Sequence, residues 1–200
     1  MERSRTAVSL VTIFAILGVT DGVLAGPAKA EPKLRATVRI DNTANVPVVL
    51  LKFAKARAAE VFAMSGVSID WVDGEEAERL KLVVPYNVLI MAEAPVSLKA
   101  AMQHIGIDVM GQGNPSIGRT FIYYDRVLKW SSIPPREVVA MLGDVMAHEL
   151  GHLMLPPGHS NFGIMRRALD MTTRRLETFT NAEAKEIRER VRRQAATETR

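Results

Sequence analysis

The stretch His148-Glu149-Leu150-Gly151-His152, running on through Leu153-Met154-Leu155-Pro156-Pro157-Gly158 to His159 and then Ser160-Asn161-Phe162-Gly163-Ile164-Met165, decides how the rest of the chain is read. On a helix, residues four apart lie one above the other, so the imidazoles of His148 and His152 can grip one metal ion. Glu149 sits beside them without being forced into the coordination sphere, where it can hold and deprotonate a metal-activated water as a general base. The chain has only 4 histidines, and three of them fall in this short segment. The fourth, His104, lies far from it and is read as a non-functional histidine.

The helix that carries the motif is bounded by its flanks. Ser131, Ser132, Pro134 and Pro135 mark a start and Glu137 falls in the favourable first turn, while Pro156 and Pro157 stop it after about Leu155. Met141 and Val145 share the stripe of the two histidines, and Leu142, Met146, Leu150 and Leu153 point elsewhere. A helix apolar nearly all round is a buried one. Gly143 and Gly151, each costing about 1 kcal/mol relative to Ala, either mark close approach of another backbone or are simply tolerated.

Upstream, Arg35 to Asn42 alternates as a strand, with Ala36, Val38 and Ile40 on one side. Pro47 opens a helix whose apolar positions Leu50, Leu51, Ala54, Ala58, Val61 and Phe62 run to Ser65-Gly66. Val67 to Val72 reads as a second strand closed by Asp73-Gly74, and Leu80 to Met91 as a third with a break at Pro85. Ser97 to Ile105 suits a short helix, Met110 to Pro115 a turn-rich loop, and Thr120 to Val127 a strand. Tyr123 and Tyr124 in that strand either flank a groove or pack as core aromatics. Downstream, Phe179-Thr180-Asn181-Ala182-Glu183 has the form of a capping box before a helix with Ala184, Ile187 and Val191 on its buried stripe.

The first thirty residues read differently. Arg3 and Arg5 precede an uncharged, mostly apolar run from Ala7 to Thr20 and small-residue cleavage sites ending at Ala25 or Ala30, the pattern of a secretory signal peptide. The rival reading is an uncleaved membrane anchor, for which the run meets Asp21 too early to give a span of about 20 apolar residues. The expected product is a single domain, 31–200, secreted or periplasmic, without stable membrane insertion once the signal is cleaved. Lys+Arg number 26 and Asp+Glu 22, a formal charge of +4. Removing 1–25 takes two charges of each sign and leaves that balance. With 0 cysteines, neither a disulfide nor a thiolate ligand is available.

Taken with His159 and with Ile164-Met165 as a Met-turn, the His148-Glu149-x-x-His152 motif resembles the metzincin group of zinc metallopeptidases, in particular its small secreted bacterial matrixin-like members. The resemblance implies an α+β, zincin-like fold: a twisted mixed sheet, two long helices of which the second carries the motif, and a small C-terminal helical part. It also implies Zn2+ held by His148, His152 and His159. The group pattern H-E-x-x-H-x-x-G-x-x-H would place Gly at 155 and His at 158, whereas Leu155 stands there and His159 comes one residue late. Pro156, Pro157 and Gly158 can turn the chain in place of that glycine. Asp170, Glu177 and Glu183 are the rival third ligands. Arg166 and Arg167 stand where some relatives place an oxyanion-stabilising tyrosine, and serve that purpose, a substrate carboxylate, or plain surface charge.

The function expected is an exported zinc-dependent endopeptidase acting on protein or peptide substrates, with Glu149 as general base and no nucleic-acid partner. The alternative is a non-catalytic, secreted, zinc-stabilised binding module. A metal-dependent nuclease fits less well, because Glu149 replaces a glycine of the known three-His nuclease pattern and the signal peptide leads away from cytoplasmic RNA.

Overall fold

Alternation in Leu34–Asn42 produces the strand expected there: Ala36, Val38 and Ile40 are buried, and Thr37 and Arg39 are half-buried on the opposite face. A computed structural model describes residues 34–99, 109–131, 135–169 and 175–198, all within one compact unit. The elements are β1 (Leu34–Asn42), α1 (Val48–Met64), β2 (Val67–Asp73), α2 (Gly74–Arg79), β3 (Tyr86–Met91), β4 (Gly111–Asn114), β5 (Arg119–Tyr123), α3 (Tyr124–Trp130), α4 (Pro135–Met154) and α5 (Asn181–Glu198). The five strands lie in the order β2-β1-β3-β5-β4; all neighbours are parallel except β4, which runs antiparallel to β5 at the edge. This is the α+β, mixed-sheet architecture with two long helices and a C-terminal helix that the sequence led us to expect. Among the described residues no helix is long and apolar enough to cross a membrane.

The core lies between the sheet and the pair α1–α4. Ala54, Ala58, Val61 and Phe62 of α1 meet Leu142, Val145, Met146 and Leu150 of α4 over Val38, Ile40, Val88, Ile90 and Ile122 of the sheet, all buried. Gly143 lets the helices approach: an added Cβ would stand 2.8 Å from Arg57 Cβ and 2.9 Å from the Ala54 carbonyl oxygen. Next to it Arg57 grips Asp144 with two bonds, Nε–H to Oδ1 at 2.7 Å and an Nη2–H to Oδ2 at 2.9 Å. Because backbone cannot move aside as a side chain can, Gly143→Ala should destabilise the protein by about 1–3 kcal/mol, read by denaturant unfolding, while metal stoichiometry stays unchanged. Gly151 differs from expectation. Its neighbours are the Met165 sulfur at 2.5 Å and Phe179 Cε1 at 3.0 Å from the added Cβ, side chains rather than another backbone.

Three other readings are corrected. Leu80 to Met91 is not one strand: Glu75 and Glu76 support the first turn of α2, Lys81 takes a φ of 52°, and β3 begins only at Tyr86, after Pro85. Thr120 to Val127 divides at Tyr123 into β5 and α3, and Ser131 closes α3 through its hydroxyl to the Leu128 carbonyl rather than opening α4. The supposed loop 110–115 contains β4, because its glycines pack on a helix instead of forming turns. The helix read at Ser97 to Ile105 is described only for 96–99, and the remainder lies outside the described residues, as do Ser132, Pro134 and the segment 1–33. The capping box is present: Thr180 N–H donates to Glu183 Oε2 at 2.7 Å, and Glu183 N–H donates to Thr180 Oγ1 at 3.3 Å.

Candidate metal centre

One turn of α4 presents His148, Glu149 and His152, and the chain after it supplies His159. Pro156 and Pro157 follow the end of the helix, and Gly158, at a φ of 135°, redirects the chain. The loop then closes on itself: Ser160 Oγ–H donates to the Phe162 carbonyl at 2.7 Å and Ser160 N–H to the Met165 carbonyl at 3.0 Å. Ile164 N–H in turn donates to the Thr178 carbonyl at 2.9 Å. These bonds aim the Ile164 carbonyl back at α4, where it accepts the Nδ1–H of His148 at 2.7 Å. A carbonyl can only accept, so the proton belongs on Nδ1 and the lone pair on Nε2.

That lone pair faces its neighbours. His152 Nε2 is 3.1 Å from His148 Nε2, and the ligand atoms of His148, His152 and His159 all lie within 4.8 Å of one another. Zinc bound at about 2.0–2.1 Å in a tetrahedron separates its nitrogens by about 3.3 Å, close to the spacing of the first pair. His148 is buried, His152 half-buried and His159 exposed, so the outermost ring is the one with room to adjust. Met165 is buried, its sulfur against Gly151 one turn of chain from the histidines.

Electrostatics prepare the same group for a cation. Burial, then the neighbouring imidazoles of His148 and His159, pushes His152 down to about 4. His148 is lowered chiefly by burial, and His159 by burial and the Arg167 guanidinium. Each of these shifts favours the neutral ring, the ligating form. Glu149 is buried too, and desolvation pushes its carboxyl up to about 8, with a bond from the Gly113 N–H pulling the other way.

That burial has a stability consequence in the metal-free chain. A carboxyl whose folded pKa stands above its unfolded value costs nothing below about 4.5, and destabilises progressively as the pH rises toward about 8. Glu149→Gln should therefore stabilise the chelator-treated protein by on the order of 3 kcal/mol more at pH 8 than at pH 5. Paired denaturant titrations read it, and a gain independent of pH would contradict it.

The rival ligands are placed elsewhere or not described. Glu177 accepts from Arg166 Nη2 at 3.3 Å, and Glu183 is engaged in the capping box. Asp170, like His104, lies outside the described residues. Arg166 thus points toward Glu177, while Arg167 is exposed beside His159. Tyr123 is buried, with its hydroxyl 3.5 Å from Gln112 Oε1, and Tyr124 is half-buried. Sequence reasoning missed Gly111 and Gly113. A Cβ on Gly111 would stand 2.6 Å from Glu149 Cγ, and one on Gly113 2.6 Å from His152 Cβ. The signal was there in the two-residue spacing of the glycines, which puts both on one face of a strand.

The sequence matches no protein-family model and shows no significant similarity to the curated proteins compared with it. Solved structures do resemble it. A zinc-dependent peptidase from Methanocorpusculum labreanum superposes with a TM-score of 0.55 at 15% identity, over 75% of this chain and 99% of the other. Archaemetzincin from Methanopyrus kandleri gives a TM-score of 0.52 at 11% identity, over 79% of this chain and 96% of the other. The order of strands and helices and these two likenesses together make the fold that of the zincin-like zinc-dependent peptidases.

Proposed function

We propose that the chain is an exported zinc-dependent endopeptidase of the matrixin-like kind, in which His148, His152 and His159 hold Zn2+ and Glu149 is the general base. The observation that carries this reading is a buried carboxylate on the same helical turn as two imidazoles whose Nε2 atoms stand 3.1 Å apart, with a third imidazole alongside. A site serving only to stabilise the fold has no need of that carboxylate. One of the two solved structures of the same fold is described as a zinc-dependent peptidase, which supports the same chemistry.

Zinc, when bound, supplies Lewis-acid polarisation of a carbonyl and acidifies a water. The residues of the chain do the rest. The Ile164 carbonyl fixes the ring and tautomer of His148. Glu149 removes the proton from the attacking water and returns it to the leaving nitrogen, two transfers that one carboxylate can make in turn. In the metal-free chain burial raises its proton affinity. Among the described residues β4 ends the sheet, the place where an extended peptide adds as a strand. Export rests on the basic and apolar start of the chain, with 31–200 as the mature domain.

The test is cleavage of an unfolded protein by the purified, zinc-loaded mature chain, with products identified by mass spectrometry. Cleavage should stop on chelation and return with zinc. A chain that binds zinc stoichiometrically yet cuts nothing would be the binding module instead.

A further inference from the structure

β4 meets the site through its backbone. Met110 stands opposite Tyr123, whose N–H donates to the Met110 carbonyl at 2.8 Å, so this is a hydrogen-bonded pair of the antiparallel ladder. Such pairs alternate. Gln112 opposite Phe121 is therefore the next bonded pair, while Gly111 and Gly113 turn their N–H and C=O groups away from β5. There the Gly113 N–H acts on the Glu149 carboxyl, lowering its pKa against the effect of burial.

The approach is close because neither residue has a side chain. A Cβ on Gly111 would stand 2.6 Å from Cγ, 2.8 Å from Cδ and 2.8 Å from Oε1 of Glu149. One on Gly113 would stand 2.6 Å from His152 Cβ and 3.1 Å from the Glu149 carbonyl oxygen. Glu149 thus lies between its own helix and the bare backbone of the edge strand.

We propose that β4 is the positioning element for the general base: the Gly113 N–H orients the Glu149 carboxylate, and the glycine at 111 keeps the space through which that side chain passes. This rests on the peptidase reading above. It also sets what the edge can offer a peptide, since Glu149 occupies the Gly113 donor. Gly111 is itself buried, so of these outward groups the Gly113 C=O is the one left for an added strand. One strand then touches both the substrate and the base.

Two measurements test it. Amide hydrogen exchange on the intact mature chain should show the Gly113 N–H protected in the wild type and exposed in Glu149→Ala, with exchange faster by at least about tenfold, while the ladder-bonded Gln112 N–H keeps its protection and reports an intact strand. In Gly111→Ala the three atoms nearest the added methyl all belong to the Glu149 side chain. Zinc content and KM should stay within about twofold, and kcat should fall by about ten- to a hundredfold, the scale of a misplaced catalytic group. Equal Gly113 exchange in wild type and Glu149→Ala, or an unchanged kcat in Gly111→Ala, would overturn the proposal. Absence of chelator-sensitive cleavage in the wild type would instead overturn the peptidase reading, and the exchange experiment separates the two.

Discussion

Replacing His148 and His152 together with alanine will leave the purified chain without zinc, where the wild type carries about one ion per molecule. The two Nε2 atoms stand 3.1 Å apart on one turn of a buried helix, whereas His159 is exposed on a loop and cannot retain an ion alone. His159→Ala should keep two ligands and weaken binding strongly. Glu177→Ala should leave the stoichiometry unchanged, because that carboxylate pairs with Arg166, and Glu183→Ala should cost about 1 kcal/mol through loss of the helix cap without losing metal. His148→Ala also strips the Ile164 carbonyl of its donor, so the metal-free variants must be compared by unfolding as well. Metal analysis of the dialysed proteins settles the assignment. Full zinc occupancy in the double variant would refute it, and loss of zinc in Glu177→Ala alone would move the third ligand to that carboxylate.

Long periodic elements were legible because their burial pattern is written in the sequence. Ala36, Val38 and Ile40 in β1, the α1 stripe from Ala54 to Phe62, and the cap of α5 are all decided by side chains within a few residues of one another. The short elements were not. The three residues of Gly111-Gln112-Gly113 look like a turn by composition, and only the presence of α4 across from them explains why Cβ atoms are excluded there. Gly143 and Gly151 show the same limit from another side: both signal crowding, yet nothing local says that one meets the α1 backbone and the other a methionine sulfur. The division of 120–127 into β5 and α3 was hidden because Tyr123, Tyr124 and Val127 suit a strand by type, and burial against α4 overrides that preference.

In the site, spacing alone placed His148 and His152 on one face. The route of the chain to His159 could not be derived in that way, since it depends on the turn at Gly158 and on the Ser160–Met165 closure. The buried state of Glu149 was equally out of reach. It comes from packing against β4 at the edge of the sheet, and that burial is what raises the carboxyl in the metal-free chain.

Glu149→Gln isolates the proposed base from everything else in the centre. The amide has the size of the carboxylate and its oxygen can still accept the Gly113 N–H, so the contacts with β4 persist. The three imidazoles are untouched, and zinc should stay bound at wild-type stoichiometry. What is lost is the ability to take a proton from water and pass it to the leaving nitrogen. Hydrolysis of an unfolded protein or a peptide library should therefore fall by at least about a hundredfold, the contribution of a positioned general base. Burial makes the outcome sharper, because the same change relieves the metal-free fold of a desolvated carboxyl: stability should rise where activity collapses, a combination that simple misfolding cannot produce. Both proteins must be compared zinc-loaded, with products read by mass spectrometry. Equal cleavage by wild type and Glu149→Gln would mean that another group does the chemistry, and the role assigned to Glu149 would fall while the histidine site could still stand.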